Sequence, residues 1–252
     1  MAVPRVKAVV VVAPWMSNLQ DGSTRMLSII IPCLNEGQGL QRCLFDLQAM
    51  RSAGHELILI DGGSSDQSLI GNMESYVDRL LHASPGRAQQ MNSGALHASG
   101  DVYWFLHADS RISDGMDCEI LAAVGSKPSW GRFDIRLSGS HSLFRVIERM
   151  MNWRSRISGI ATGDQGIFVH RRLFEQVGGF PLQPLMEDIE ISRRLKRLAL
   201  PVCLHGPLVT SSRRWESKGI VRTMLLMWML RFAYWLGVKP KHLARLYTLV
   251  PG

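Results

Sequence analysis

Along the first hundred residues, apolar positions alternate between two spacings. Leu27-Ser28-Ile29-Ile30-Ile31-Pro32 is a short, β-branched run closed by proline, the pattern of a strand buried on both faces. Asn35-Glu36-Gly37 then turns the chain, and Leu40, Cys43, Leu44 and Leu47 recur at helical spacing, so one apolar stripe packs back on a sheet. A second strand is predicted at 56–60. It runs into Asp61-Gly62-Gly63-Ser64-Ser65-Asp66, a strand-end acid and glycine turn followed by side chains that can cap the next helix. The pattern predicts a further helix over 86–98, and a strand over 102–106 leading directly into His107-Ala108-Asp109.

Downstream the pattern weakens. Strands are predicted at 131–137 and 166–170, with helical stretches at 142–154, 173–177 and 189–198. Alternating strands and helices imply an α/β fold with a Rossmann-like, mostly parallel central sheet and helices on both faces. Its ligand crevice then lies outside the carboxyl ends of the strands, where Asp61 and Asp109 fall. At 252 residues the chain can bury one large core. The organisation expected is a loosely attached leader at 1–25, a catalytic body at 26–215 and a basic, amphipathic helical extension at 216–252.

Charge changes this picture at the C-terminal end. The formal net charge of +8 is uneven: residues 191–252 hold 12 Lys or Arg against one acid, and 17 basic and 20 acidic residues lie upstream. Such a stretch attracts phosphorylated substrates, anionic lipid or nucleic acid, or is a solvated basic face. Few aromatics interleave its arginines and no nucleic-acid motif is visible, which argues against nucleic acid. The apolar segment 223–238 is interrupted by Arg231 and falls short of the roughly 20 residues a membrane span needs, so it suits lying on a surface. Residues 8–13 are apolar after Arg5 and Lys7, but the run is short for a signal peptide. The four cysteines show neither CxxC pairing nor metal-ligand spacing, which fits reduced thiols and points to the cytoplasm.

Candidate chemistry sits at the strand ends. The chain carries neither GxGxxG after the first strand nor GxxxxGK[ST], so dinucleotide and P-loop readings lose their support. Asp61 is either a turn acid or an acceptor for the edge of a base or sugar. Asp109 supplies a hard oxygen ligand for Mg²⁺ or Mn²⁺ held against diphosphate oxygens, and His107 either joins that site or orients it. Glu187-Asp188 precedes a helical stretch. These acids are either favoured by the helix dipole or placed to take a proton from an acceptor hydroxyl. Arg213-Arg214-Trp215 combines two guanidinium forks with an aromatic wall, a combination suited to diphosphate. Gly163, Asp164 and Gln165 form a polar turn that can line an acceptor cleft.

In order and spacing, IIIPCLNE (29–36), LIDGGSSD (59–66), Gly86-Arg87-Ala88, Asn92-Ser93-Gly94-Ala95, LHAD (106–109), Gly163–Gly166, Gly178-Gly179-Phe180 and Met186-Glu187-Asp188 resemble the family 2 glycosyltransferases. The resemblance covers about 26–215. With the Leu236-Gly237-Val238-Lys239-Pro240 tail, its details resemble the subgroup described as radical-SAM/selenodomain-associated transferases. It implies a GT-A fold, a nucleotide-sugar donor (UDP- or GDP-sugar), a divalent cation on the diphosphate and an inverting reaction. By the same resemblance Pro32, Asn35 and Glu36 border the nucleotide, Asp61 binds its base and Arg87 lies near the donor pocket. Asp109 would hold the metal, Asp188 would act as base, and Arg213, Arg214 and Trp215 would close over the diphosphate. Two positions depart from the pattern. His107 replaces the first aspartate of the usual metal pair, and Ser211 stands where processive relatives carry glutamine, which favours transfer of a single sugar.

Met224, Leu225, Trp228, Phe232 and Trp235 can share an apolar helix face, with Arg222, Arg231, Lys239 and Lys241 available to anionic head groups. This predicts peripheral contact with the inner face of a membrane and a lipid-linked acceptor that offers a hydroxyl or a phosphate; packing within the protein or in a homodimer is the alternative use of the same stripe. Two rival functions stay open at this point. One is a nucleotidyltransferase making nucleotide sugars, and the other a non-catalytic nucleotide- or nucleic-acid-binding module.

Overall fold

The computed structural model describes residues 25–125 and 127–249; residues 1–24 of the predicted leader lie outside them. Seven strands form one sheet: β1 (Leu27–Cys33), β2 (Glu56–Asp61), β3 (Arg79–His82), β4 (Val102–Phe105), β5 (Trp130–Leu137), β6 (Phe168–His170) and β7 (Val202–Thr210). Their order is β3-β2-β1-β4-β6-β5-β7. All pairings are parallel except those of β6, which runs antiparallel between β4 and β5. The sequence reading of a mostly parallel α/β sheet therefore holds.

Alternation along the central strands explains the layering. Ile29 and Ile31 of β1 face one side with Leu57 and Leu59 of β2, covered by Leu40 and Leu44 of helix α1 (Gly37–Asp46), which the short α2 (Gln48–Ser52) follows. Ile30, Ile58 and Ile60 face the other side. Beyond α3 (Gln67–Asn72), helix α4 (Arg87–His97) covers that face with Ala88, Met91 and Ala95. Each buried isoleucine or leucine contributes about 1.5–3 kcal/mol. The approach of α4 needs Gly94, because a Cβ there would stand 2.5 Å from Ile30 Cγ2 and 2.8 Å from Ile60 Cδ1.

The remaining helices are α5 (Met116–Val124), α6 (Ser142–Ser158), α7 (Arg171–Gln176), α8 (Glu187–Lys196), α9 (Arg213–Lys218), α10 (Ile220–Trp235) and α11 (Pro240–Leu249). The C-terminal extension is docked on the body. Leu230 of α10 and Leu243 of α11 are buried with Met186 and Ile189 at the start of α8. Arg193 also stacks over the Tyr234 ring at 5.1 Å. α10 leaves Leu225, Phe232 and Trp235 exposed, and Trp228 half-exposed. Among the described residues, no helix is long and apolar enough to cross a membrane.

Candidate active site

A cavity of about 470 Å³ opens at the carboxyl ends of the strands. Of the predicted site residues, Glu36, Arg87, His107, Asp109, Gly163, Asp164, Asp188 and Trp215 line it together. Pro32 and Glu187 line a small adjoining recess with Arg87, His107, Gly163 and Asp188. Asp109 and Asp188 thus share one chamber, and Asp61, the third strand-end or helix-start acid of the sequence reading, does not line it.

Each acid is placed by its local backbone. Asn35 (φ 56°) and Met186 (φ 65°) are the two non-glycine residues in the left-handed region among those described, and they immediately precede Glu36 and the Glu187-Asp188 pair. Such conformations cost of order 1–3 kcal/mol and persist where surrounding contacts impose them. Glu187 and Asp188 open α8, whose free amides favour negative charge. The Asp188 carboxylate is fixed at both oxygens: the Gly163 N–H donates to Oδ2 (2.9 Å) and the Ile189 N–H to Oδ1 (2.7 Å). Gly163 also admits the imidazole beside it, since a Cβ at that position would meet His107 Nε2 at 2.7 Å.

Electrostatics divides the acids. Burial, and then the neighbouring Asp188 charge, push the Glu187 carboxyl up to about 7. Burial and then Asp109 raise Glu36, partly offset by Arg213 and Arg87. Burial and the Arg87 charge hold His107 well below the usual imidazole range, so it is neutral. Among the described residues, no group of three or more His, Cys, Asp or Glu side chains is arranged as a metal cage. The donor set nevertheless suits a hard divalent cation. Such an ion is usually held by one or two carboxylates while phosphate oxygens and water complete its shell, and Asp109, with Glu36 near enough to feel its charge, offers that.

Four predicted residues stand outside the cavity wall. Asp61 is fully buried and is used by its own turn: Ser64 donates to it through Oγ (2.6 Å) and through its N–H (3.0 Å), and His82 Nδ1 lies 3.5 Å away. Asn35 accepts from the Ser65 N–H at 2.8 Å, tying the β1 loop to the β2 loop. Gln165 is buried in a capping box with Thr162. Arg213 is exposed and reaches Glu36 Oε2 at 3.5 Å; the Arg214 side chain lies outside the described residues. Trp215 packs with Phe144 and Ile147.

Sequence reasoning missed three positions. Buried Gln90 donates to the Cys33 and Ile60 carbonyls (2.8 and 2.9 Å), clamping the ends of β1 and β2. Its polarity on the buried face of a helix was the available signal. Arg154 of α6 and Arg231 of α10 also line the cavity. Arg231 thus turns inward from the stripe whose arginines the sequence offered to a membrane.

Residues 28–174 match the family model for glycosyl transferase family 2. An uncharacterized glycosyltransferase of Mycobacterium tuberculosis is 39% identical over 193 residues, covering 72% of this chain and 73% of that protein. Among solved structures, S. aureus TarS 1-349 in complex with UDP-GlcNAc aligns with a TM-score of 0.60 at 15% identity, over 74% of this chain and 58% of that one. The mannosyltransferase PcManGT from Pyrobaculum calidifontis, in complex with GDP-Man and Mn²⁺, aligns at 0.55 and 18% identity, over 75% and 57%. This chain therefore spans less than two thirds of either solved chain. The protein belongs to the family 2 glycosyltransferases, and its fold is GT-A.

Proposed function

We propose that the protein transfers a single sugar, with inversion, from a nucleoside-diphosphate sugar to an acceptor presented to Asp188. The observation that carries this reading is the shared chamber of Asp109 and Asp188, walled by Arg87 and Trp215. Asp188 is held at both oxygens by N–H donors, which fix its aim and leave lone pairs for a proton. As the acceptor oxygen attacks the anomeric carbon, Asp188 takes its proton while the bond from that carbon to the diphosphate oxygen breaks on the opposite face. Negative charge then gathers on the leaving diphosphate. Arg87 is positioned to offset it, as is Arg213 at the cavity edge. Asp109, with Glu36 beside it, would hold Mg²⁺ or Mn²⁺, which when bound supplies further charge neutralisation. Neutral His107 packs against Gly163 and orients that wall. Asp61 and Asn35 shape the nucleotide loop through the turn they hold together.

The complexes of TarS with UDP-GlcNAc and of PcManGT with GDP-Man and Mn²⁺ support a UDP- or GDP-sugar as donor and a metal beside it. The exposed Leu225, Phe232 and Trp235 of α10, close in sequence to cavity-lining Trp228, support an acceptor met at a membrane surface. Thermal shift against UDP, GDP, TDP and CDP, with and without Mn²⁺, tests the reading. One diphosphate should stabilise the protein in a metal-dependent way; no stabilisation by any of the four removes the donor site.

A further inference from the structure

Nine buried side-chain nitrogen or oxygen atoms lack a hydrogen-bond partner among the described residues, and five of them belong to residues of this one cavity. They are Nε and Nη2 of Arg154, Nε of Arg231, Oδ1 of Asp164 and Oγ1 of Thr223. Buried polar atoms are nearly always paired, so a cluster of orphans in residues that line one chamber marks where a bound molecule, with a small shift of those side chains, completes the set.

The two guanidiniums are neighbours. Burial and then the Arg231 charge pull Arg154 down to about 10, while Asp164 and Asp188 act in the opposite direction. Among the described residues neither arginine makes an ion pair within 4.0 Å. Two like charges held together with no carboxylate in contact are relieved by an anion that bridges them, and phosphate matches the guanidinium fork.

Asp188 is common to two sets of charges: it shares a recess with Arg87 and acts on Arg154. Arg87 acts on Glu36, His107 and Glu187, beside Asp109. Arg154 acts with Asp164 and Asp188, on the side of the base. The wall around the second pair is apolar, formed by Met150, Met151, Trp153, Met227 and Trp228. Asp164 Oδ1 is an acceptor and suits a hydroxyl of the same molecule.

We propose that Arg154 and Arg231 hold a phosphate carried by the acceptor, and that this acceptor is an amphiphilic phosphate ester whose apolar part lies along the methionine and tryptophan wall. The word acceptor rests on the glycosyltransferase reading above; the phosphate site itself does not.

Intrinsic tryptophan fluorescence of the full chain, titrated with octyl phosphate, octanol and glycerol 3-phosphate, provides the test. Each titration is run with the stabilising nucleoside diphosphate and Mn²⁺ present, to fill the donor end. Wild type should bind octyl phosphate at least tenfold more tightly than octanol. R154Q and R231Q should each lose that preference while octanol binding and the thermal shift with nucleoside diphosphate stay unchanged, and R154K should keep part of it. Equal binding of octyl phosphate and octanol by wild type overturns the proposal without recourse to any variant, as does a preference that survives in both glutamine variants. Glycerol 3-phosphate binding as tightly as octyl phosphate overturns the amphiphile and names a soluble phosphate ester; binding at least tenfold weaker supports a lipid source. Failure of every nucleoside diphosphate to bind would remove the donor site, and the octyl series, repeated without nucleotide, would still report on the arginines.

Discussion

The β1 and β2 strand ends, whose Asp61 and Asn35 stand outside the cavity wall, and the helices α6 and α10, which line it, treat their polar groups in opposite ways. At the strand ends Asp61, Asn35 and Gln90 are consumed by hydrogen bonds within the protein. Between α6 and α10, Arg154, Arg231 and Thr223 keep buried atoms unpaired. A buried donor or acceptor left unmet costs about 1–3 kcal/mol. The first region is thus shaped in advance, and the second carries a deficit that, on the phosphate proposal, a bound molecule removes. On the two proposals above, the strand-end region carries the chemistry and the helical region, whose α6 still lies within the family match at 28–174, discriminates among acceptors.

The sharpest way to break this picture is at the hinge between the two regions. Asp188→Asn should lower turnover by about 10²–10⁴-fold while nucleotide binding persists, because the proton acceptor is lost and the fold is not. Steady-state rates beside a nucleoside diphosphate thermal shift check it, and near-normal turnover would remove Asp188 from the mechanism.

Next in size is a pH effect beside that base. Glu187 binds its proton more tightly in the folded chain, at about 7 against 4.5. Its contribution to stability is therefore fully present below about pH 4.5 and is lost as pH rises toward 7. Glu187→Gln removes this slope, and should gain up to about 3 kcal/mol on wild type at pH 8, measured by urea unfolding at several pH values. Parallel pH curves for the two proteins would contradict the assignment.

The smaller effects compare the regions directly. Gln90→Ala removes two buried hydrogen bonds, with the Gly62 N–H still donating to the Cys33 carbonyl, and should destabilise by about 2 kcal/mol in denaturant unfolding. Thr223→Val removes a hydroxyl that has no partner among the described residues and should be neutral or stabilising by up to about 1 kcal/mol in the unliganded protein. Equal losses from the two would erase the distinction between a satisfied and an unsatisfied half.

How far the sequence spoke follows the same division. β1, β2 and β4 are buried along their whole length, so apolar runs alone betrayed them. β3 was missed because Arg79-Leu80-Leu81-His82 is a short, half-exposed edge. β7 was missed because His205-Gly206-Pro207 interrupts it, which the sheet absorbs by a register shift opposite Phe133–Ile135. Asp109 and Asp188 were legible as acids at element ends. The hydrogen bonds that Asp61 accepts within its turn were not, since the same residue serves a turn or a ligand equally well. Arg154 could not be singled out from Arg149 and Arg156, because helical spacing shows which residues share a face but not which face meets a cavity opened by a helix some seventy residues later.

The central claim is tested most directly by following nucleoside diphosphate release from a panel of UDP- and GDP-sugars in Mn²⁺, with wild type and Asp109→Ala. Wild type should turn over one donor, if only slowly with water as acceptor, and both chelation and Asp109→Ala should abolish release. No turnover of any donor, or an Asp109→Ala rate equal to wild type, would contradict it.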